Sequence, residues 1–329
     1  MNKKNFQQVF ESYFHKKYTF NDFLNTLPQE SINFKTNRFE SYSFISYLKD
    51  SNRELTSEAK KLKDFHSFLN VLLFKEMKTH NKVFSYRENK NIFDAVYLHK
   101  DSKNYFKTDI KSFFTSIDKK LIMRTLKDNL EEFDVFIDKK YVEHIINLII
   151  INNQLPIGFI TSPTISNAVL YNFDKYFEKY SIDKKMIYSR YSDDLIFSSN
   201  DYKVLIELEN KLTNYFDSYY DGLFKLNSKK TKFLDKTRKI VILGLVITPN
   251  GHITVDKERR NNIQKLIYFY KTDKHKFSKL LELKYDNQLS KAYGSLNYIN
   301  YIDKNFIIKL RSKYGNYIID KFLHGVKPR

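Results

Sequence analysis

The chain has no cysteine and no tryptophan, and only 7 glycines and 5 prolines among 329 residues. Without cysteine there is no disulfide framework, no zinc site of the cysteine type and no thiol nucleophile. Scarce glycine and proline exclude a linker-rich or low-complexity chain. Long apolar runs are missing too. The most apolar stretch, Ile145 to Ile151, is interrupted by Asn147 and is too short to span a bilayer, and Met1 to Gln8 lacks the apolar run of a signal peptide. The expectation is a soluble, cytoplasmic protein without a membrane partner. Acidic residues are in deficit: 38 Asp and Glu stand against 57 Lys and Arg, a net charge of +19 with a pI near 9.5. Such a surplus suits a polyanionic partner, because neutralising phosphates releases condensed counterions. Part of the basicity also fits codon usage, since Lys, Asn, Ile, Phe and Tyr abound together and the lysines are scattered.

What is present supports a sizeable core. Hydrophobic residues make up 42% of the chain, with 29 Phe and 25 Tyr, and the length suits two or three subdomains around a shared cleft. Phe6, Phe10 and Phe14, then Phe20, Phe23 and Leu24, recur at helical spacing and predict short helices, ended by Pro28. Tyr42 to Leu48 alternates like a strand, and Lys49 to Arg53 reads as a basic turn. Thr56 to Met77 is a long helix with Leu62, Phe65, Phe68, Leu69, Leu72 and Leu73 on one face. Leu121 to Asn152 is largely helical, broken near Glu131, Glu132 and Asp134. Tyr202 to Tyr219 is amphipathic. Ile240 to Thr248 forms a strand pair turning at Pro249-Asn250-Gly251, and the chain from Asp256 onward is helical, basic and aromatic, interrupted at Tyr293 to Tyr298.

Three acidic positions carry the chemistry. Asp193 and Asp194 sit between β-prone flanks, Lys185 to Tyr191 and Leu195 to Ser199, which reads as a hairpin with two carboxylates at its tip. Adjacent like charges repel and are costly to desolvate, so a divalent cation that neutralises them makes sense of the arrangement. A solvated Asp-Asp turn fits the dipeptide alone equally well. Asp109 ends the short strand Tyr105 to Asp109, where a cap or a ligand are both open. Residues 154 to 167 form a turn-rich Pro-Gly loop leading into a helix.

Taken together these segments resemble the reverse transcriptase family along most of the chain. Its palm motifs, Asp-x-x-x-Phe-Phe, Leu-Pro-x-Gly-x-x-x-Ser-Pro and Tyr-x-Asp-Asp, appear here in order at Asp109 to Phe114, Leu155 to Pro163 and Tyr191 to Asp194. The resemblance implies an α+β fold of the right-hand polymerase type. Its fingers would span 1–105 with a contribution from 119–155, an antiparallel-sheet palm 106–250, and a short helical thumb 251–329. It implies two-metal nucleotidyl transfer on Asp109, Asp193 and Asp194, with two Mg2+ ions, or Mn2+, as cofactors. Lys230 is implied to donate a proton to pyrophosphate or orient it; a solvated lysine in a basic run is the other reading. Phe114 would lie under the sugar and exclude a 2′ hydroxyl, unless it only packs the core as Phe113 does. Lys49 and Arg53 resemble the fingers residues that hold the triphosphate. Ile157 and Gly158 would line the nucleotide, with Ile157 standing where many relatives have Gln and so leaving discrimination to backbone and shape.

The resemblance is closest to bacterial enzymes of the retron, abortive-infection and defence-associated groups, through Leu243 to Thr248 and Tyr293 to Ile299. Two retron signatures depart from pattern, Asn-Ala-x-x-His at Asp94 to His99 and Val-Thr-Gly at Ile242 to Gly244, which weighs toward a defence-associated relative. The implied function is RNA-directed DNA synthesis in antiviral defence. Its partners would be a non-coding RNA template, a DNA product and deoxynucleoside triphosphates, with a homo-oligomer or a companion effector protein. The alternatives are a retron enzyme making RNA-linked single-stranded DNA, and a polymerase-fold nucleic-acid-binding effector with little synthesis.

Overall fold

The computed structural model describes residues 3–26 and 57–324. The chain divides into two compact units, Met1–Asn91 with Tyr105–Phe233, and Ile92–Asn104 with Leu234–Arg329. The basic turn with Lys49 and Arg53, the strand-like Tyr42 to Leu48 and Pro28 lie outside the described residues.

In the first unit the helical spacing of phenylalanine becomes a ring-on-ring core. Helices Phe6–Phe14, Phe20–Asn25 and Ser57–Leu72 bring together Phe6, Phe10, Phe14, Phe20, Phe23, Phe65 and Phe68, all buried. The first helix starts at Asn5, whose side chain accepts from the Gln7 and Gln8 amides. The second starts at a Thr19–Asp22 capping box. Beyond Leu121 the expected break falls between helices Lys119–Asn129 and Lys139–Ile149, where the short strand β3 (Val135–Phe136) pairs in parallel with β1 (Lys4–Asn5).

The centre of this unit is a four-stranded sheet in the order β4-β5-β2-β6, from β2 (Asn104–Asp109), β4 (Ile187–Tyr191), β5 (Asp194–Ser199) and β6 (Lys232–Asp235). Strands β4 and β5 are antiparallel, in register from Ile187 opposite Ser198 to Tyr191 opposite Asp194. Helices Tyr171–Asp183 and Leu208–Tyr220 cover one face. Phe173 stacks on Phe216 at 5.0 Å, Phe177 meets Phe197 at 5.9 Å, and Tyr188 lies 4.8 Å from Phe197.

The second unit holds three antiparallel strands, β7 (Ile240–Ile242), β8 (Leu245–Ile247) and β9 (Ile253–Val255). Ile242 faces Leu245, so the first turn has only two residues, and both take left-handed backbone: Leu243 at φ 50° and Gly244 at φ 79°. That geometry suits the twist of a hairpin but is strained for a branched side chain. Five helices follow, from Lys257–Thr272 to Asn316–His324, three of them opened by the aspartates Asp256, Asp273 and Asp303 as side-chain caps. The interruption expected at Tyr293 to Tyr298 is absent, because Leu289–Ile302 is one helix running through Gly294. Ala292, Leu296, Ile299 and Ile302 are buried along it, and their burial outweighs the ~1 kcal/mol a glycine costs a helix. Among the described residues no helix is long and apolar enough to cross a membrane.

Candidate active site

The hairpin is as tight as its sequence suggests. Two residues, Ser192 and Asp193, join β4 to β5, and Ser192 takes the positive φ, 57°, that such a loop needs at its first position. The tip is then tied to the end of β2, since the Ile110 amide donates to the Asp193 carbonyl at 3.0 Å. On its other side Asp109 meets a later segment: the Asn227 amide donates to the Asp109 carbonyl at 2.9 Å, and Lys111 donates to Lys225 at 2.8 Å. These backbone bonds bring three carboxylates from two places in the chain into one acidic centre.

Their environments differ. Asp109 is buried; its Oδ2 accepts from Lys230 Nζ at 2.8 Å and from Asn227 Nδ2 at 3.4 Å, while its Oδ1 is buried with no hydrogen-bond partner. Burial holds the Asp193 carboxyl above its ordinary value, and the charge of Asp109 adds to the effect. Asp194 is also held high, first by burial and then by Asp193 and Asp109, with Lys107 and Lys230 pulling the other way. Lys230 is raised by its hydrogen bond to Asp109, although its side chain is 62% exposed.

The remaining predicted residues fall into two groups. Phe114 lies in the single helical turn Phe113–Ser116, half-buried, its ring edge-on to Phe113 at 5.5 Å. Ile157 and Gly158 sit in the Pro-Gly loop, Ile157 exposed and Gly158 at φ 102°, a conformation that a side chain would strain. The loop is braced from within the same unit. Asn70 Nδ2 donates to the Ile160 carbonyl at 2.7 Å, Ser162 Oγ donates to the Pro156 carbonyl at 2.6 Å, and His66 packs on Phe159 at 4.6 Å. Burial lowers His66 to about 4, so a neutral ring donates from Nε2 to the Leu148 carbonyl at 2.7 Å.

Beneath the hairpin lies a polar network that the sequence reading missed. Arg190 is fully buried and makes a fork on Asp174, Nε to Oδ1 at 2.8 Å and Nη2 to Oδ2 at 2.6 Å, while Tyr188 donates to the same Oδ1 at 2.6 Å. Arg190 Nη1 continues to the Ser192 carbonyl at 3.0 Å, and the Ser192 amide donates to Ser85 Oγ at 2.8 Å. Asn167 closes the ring by donating to the Ser85 carbonyl at 2.9 Å. The turn carrying Asp193 is thus held from below by charge-assisted bonds. The available signal was Asp174 itself, a charge between Phe173 and Phe177 on the apolar side of its helix.

A family model described as reverse transcriptase (RNA-dependent DNA polymerase) matches residues 35–247. The Retron Ec73 reverse transcriptase of Escherichia coli is 30% identical over 283 residues, covering 82% of this chain and 85% of that protein. The Retron Ec83 reverse transcriptase of Escherichia coli is 26% identical over 247 residues, covering 72% and 74%. Among solved structures, apo telomerase from Candida Tropicalis aligns with a TM-score of 0.48 at 12% identity over 86% of this chain. Telomerase from Candida albicans with a fragment of telomeric RNA aligns at 0.46 and 13% identity over 85%. The chain spans 57% of the length of each of these two structures. With its motifs matched in order over more than half its length and folded around one acidic centre, the chain belongs to the reverse transcriptase family and is an RNA-directed DNA polymerase of the α+β, right-hand type.

Proposed function

We propose that Asp109, Asp193 and Asp194 hold divalent cations, magnesium or manganese, for nucleotidyl transfer onto a primer 3′ hydroxyl. The observation that carries this reading is Asp109 Oδ1, an oxygen deprived of both water and a partner at the junction of two more carboxylates. Hard oxygen donors of this kind suit magnesium. Among the described residues no three His, Cys, Asp or Glu side chains converge tightly enough to hold a metal as they stand. The fit therefore rests on donor chemistry and on the unpartnered oxygen. Bound there, the cations supply electrostatic stabilisation of the charge that develops on the phosphoryl oxygens.

The chain's own groups do the rest. Lys230, already on the Asp109 carboxylate, lends positive charge beside the leaving pyrophosphate. Phe114 presents a half-buried ring that excludes a 2′ hydroxyl. Ile157 and Gly158 shape the nucleotide pocket, and Lys49 and Arg53 grip the triphosphate. In this reading residues 1–105 with 119–155 serve as fingers, 106–250 as palm and 251–329 as thumb. The template is one structured non-coding RNA, copied into DNA in antiviral defence, and the protein works in the cytoplasm, as a homo-oligomer or with a companion effector. The Escherichia coli relatives favour the retron side of that group, against the weight of the two departed signatures.

Primer extension by Asp193→Asn and Asp109→Asn tests the carboxylates. Loss of synthesis with a thermal transition no lower than that of wild type is expected, and near wild-type extension would remove the assignment. Sequencing the nucleic acid that copurifies with wild type and with Asp193→Asn tests the template. One enriched RNA in both, with complementary DNA only in wild type, is expected; a random sample of cellular RNA would overturn the dedicated template.

A further inference from the structure

Helices Tyr171–Asp183 and Leu208–Tyr220 bury Phe173 and Phe177, and Leu212, Phe216 and Tyr220, on one side. At the edge of that buried side, along the seam between the two helices, each carries a pair of tyrosines four residues apart, Tyr176 with Tyr180 and Tyr215 with Tyr219. The pairs join into one ladder. Tyr176 and Tyr180 are parallel at 6.4 Å, Tyr176 meets Tyr215 across the helices at 4.8 Å, and Tyr215 stacks on Tyr219 at 5.4 Å. Tyr176 and Tyr219 stay 37% and 38% exposed, more than core packing requires.

Cations are layered on these rings. Lys211 Nζ lies 5.5 Å from the Tyr176 centroid and 5.6 Å from that of Tyr180, and the Arg124 guanidinium lies 5.1 Å from Tyr219. Lys175 and Lys179 are exposed on the first helix. Its acids are partly neutralised elsewhere: Asp174 is buried on Arg190, and Glu178 holds His80 and Lys82. Asp183 on the first helix and Glu207 and Asp217 at the second remain exposed.

We propose that this tyrosine ladder, with Lys211 and Arg124, binds unpaired nucleic acid outside the catalytic centre. Flat rings interleaved with cations fit splayed bases and their phosphates, and stacking of this kind requires a single strand. The geometry separates the two sites. Tyr188, Arg190 and Phe197 point toward the helices, so alternation along β4 and β5 sends Asp194, paired with Tyr191, to the opposite face of the sheet. A strand on the ladder leaves the carboxylates free.

The test saturates the intact protein with an unlabelled RNA–DNA hybrid ending in a dideoxynucleotide. It then titrates labelled oligouridylate or oligothymidylate of about a dozen nucleotides, a length suited to one stacking surface. A second bound strand is expected. Its affinity should fall by about tenfold in Arg124→Gln/Lys211→Gln and in Tyr176→Ala/Tyr219→Ala. Extension of a short pre-annealed hybrid should stay unchanged in both variants, and the thermal transition should stay unchanged in Arg124→Gln/Lys211→Gln. Comparison of the two oligonucleotides says whether the ladder takes RNA, DNA or both. No second strand, an affinity untouched by both variants, or a parallel loss of extension and stability would overturn the proposal.

Discussion

Asp174 and Asp109 are both buried and each holds a cationic side chain at hydrogen-bond distance, Arg190 at 2.6 Å and Lys230 at 2.8 Å, yet their pairing differs. Asp174 and Arg190 are wholly removed from solvent, and both carboxylate oxygens are used. Asp109 is paired on one oxygen with a lysine that is mostly in water, and its second oxygen is left with nothing. Distance does not separate the two pairs. Completeness of pairing does: a closed set of bonds fixes the turn, whereas an open one leaves an acid ready for a ligand.

The largest expected effect comes from breaking the open pair at its acid. Asp109→Asn should lower primer extension by on the order of a thousandfold, by loss of charge stabilisation in the transition state, without moving the thermal transition downward. Breaking the closed pair should act the other way round. Arg190→Ala strands a buried carboxylate and should cost about 3–5 kcal/mol in denaturant unfolding, whereas Arg190→Met with Asp174→Leu should recover a large part of it. If the single and double variants are equally unstable, the ion pair is not what holds the hairpin. Lys230→Met sharpens the contrast: its ammonium is mostly in water although Asp109 is buried, so the loss should cost less stability than Arg190→Ala while extension falls.

A small effect, of opposite sign, is expected where the second unit is strained. Leu243→Gly or Leu243→Asn relieves a left-handed leucine and should raise stability by about 1 kcal/mol, read as a higher melting temperature. The smallest effect concerns pH. Burial raises Asp193 above the ordinary 3.8, so the folded chain binds that proton more tightly than the unfolded one. Its contribution to stability therefore falls as pH rises from about 3.8 through the raised value, and stays unfavourable above it. In chelator, Asp193→Asn should melt slightly higher than wild type at neutral pH and lose that gain in acid. A gain that persisted in acid would trace to something other than the charge.

Much of the site was legible because its parts are local. Period-two flanks around Asp193 and Asp194, a strand-end Asp109 and the Leu155 to Pro163 loop each announce themselves within a few residues. The face Leu62, Phe65, Phe68 and Leu69 likewise foretold helix Ser57–Leu72. What was not legible is pairing at a distance. Arg190 lies in the β-prone flank of the hairpin and Asp174 on the helix after the Pro-Gly loop; nothing local says that they meet. Strand β6 escaped because Lys232 to Asp235 is short and mostly exposed, taking its place from β2 rather than from its own pattern. The false interruption at Tyr293 to Tyr298 came from reading Gly294 and Asn297 by intrinsic preference, where tertiary burial decides.

The anchoring of Asp109 also bears on the order in which its parts are synthesised. Its backbone is fastened by Asn227, and its carboxylate by Lys230, 121 residues further along the chain. As the ribosome releases the polypeptide from its amino end, Asp109, Asp193 and Asp194 all emerge before the segment that fixes the first of them. A product truncated before residue 225 would carry every acidic residue of the centre without the clamp that aligns Asp109. The segment that aligns Asp109 is therefore among the last of this unit to leave the ribosome.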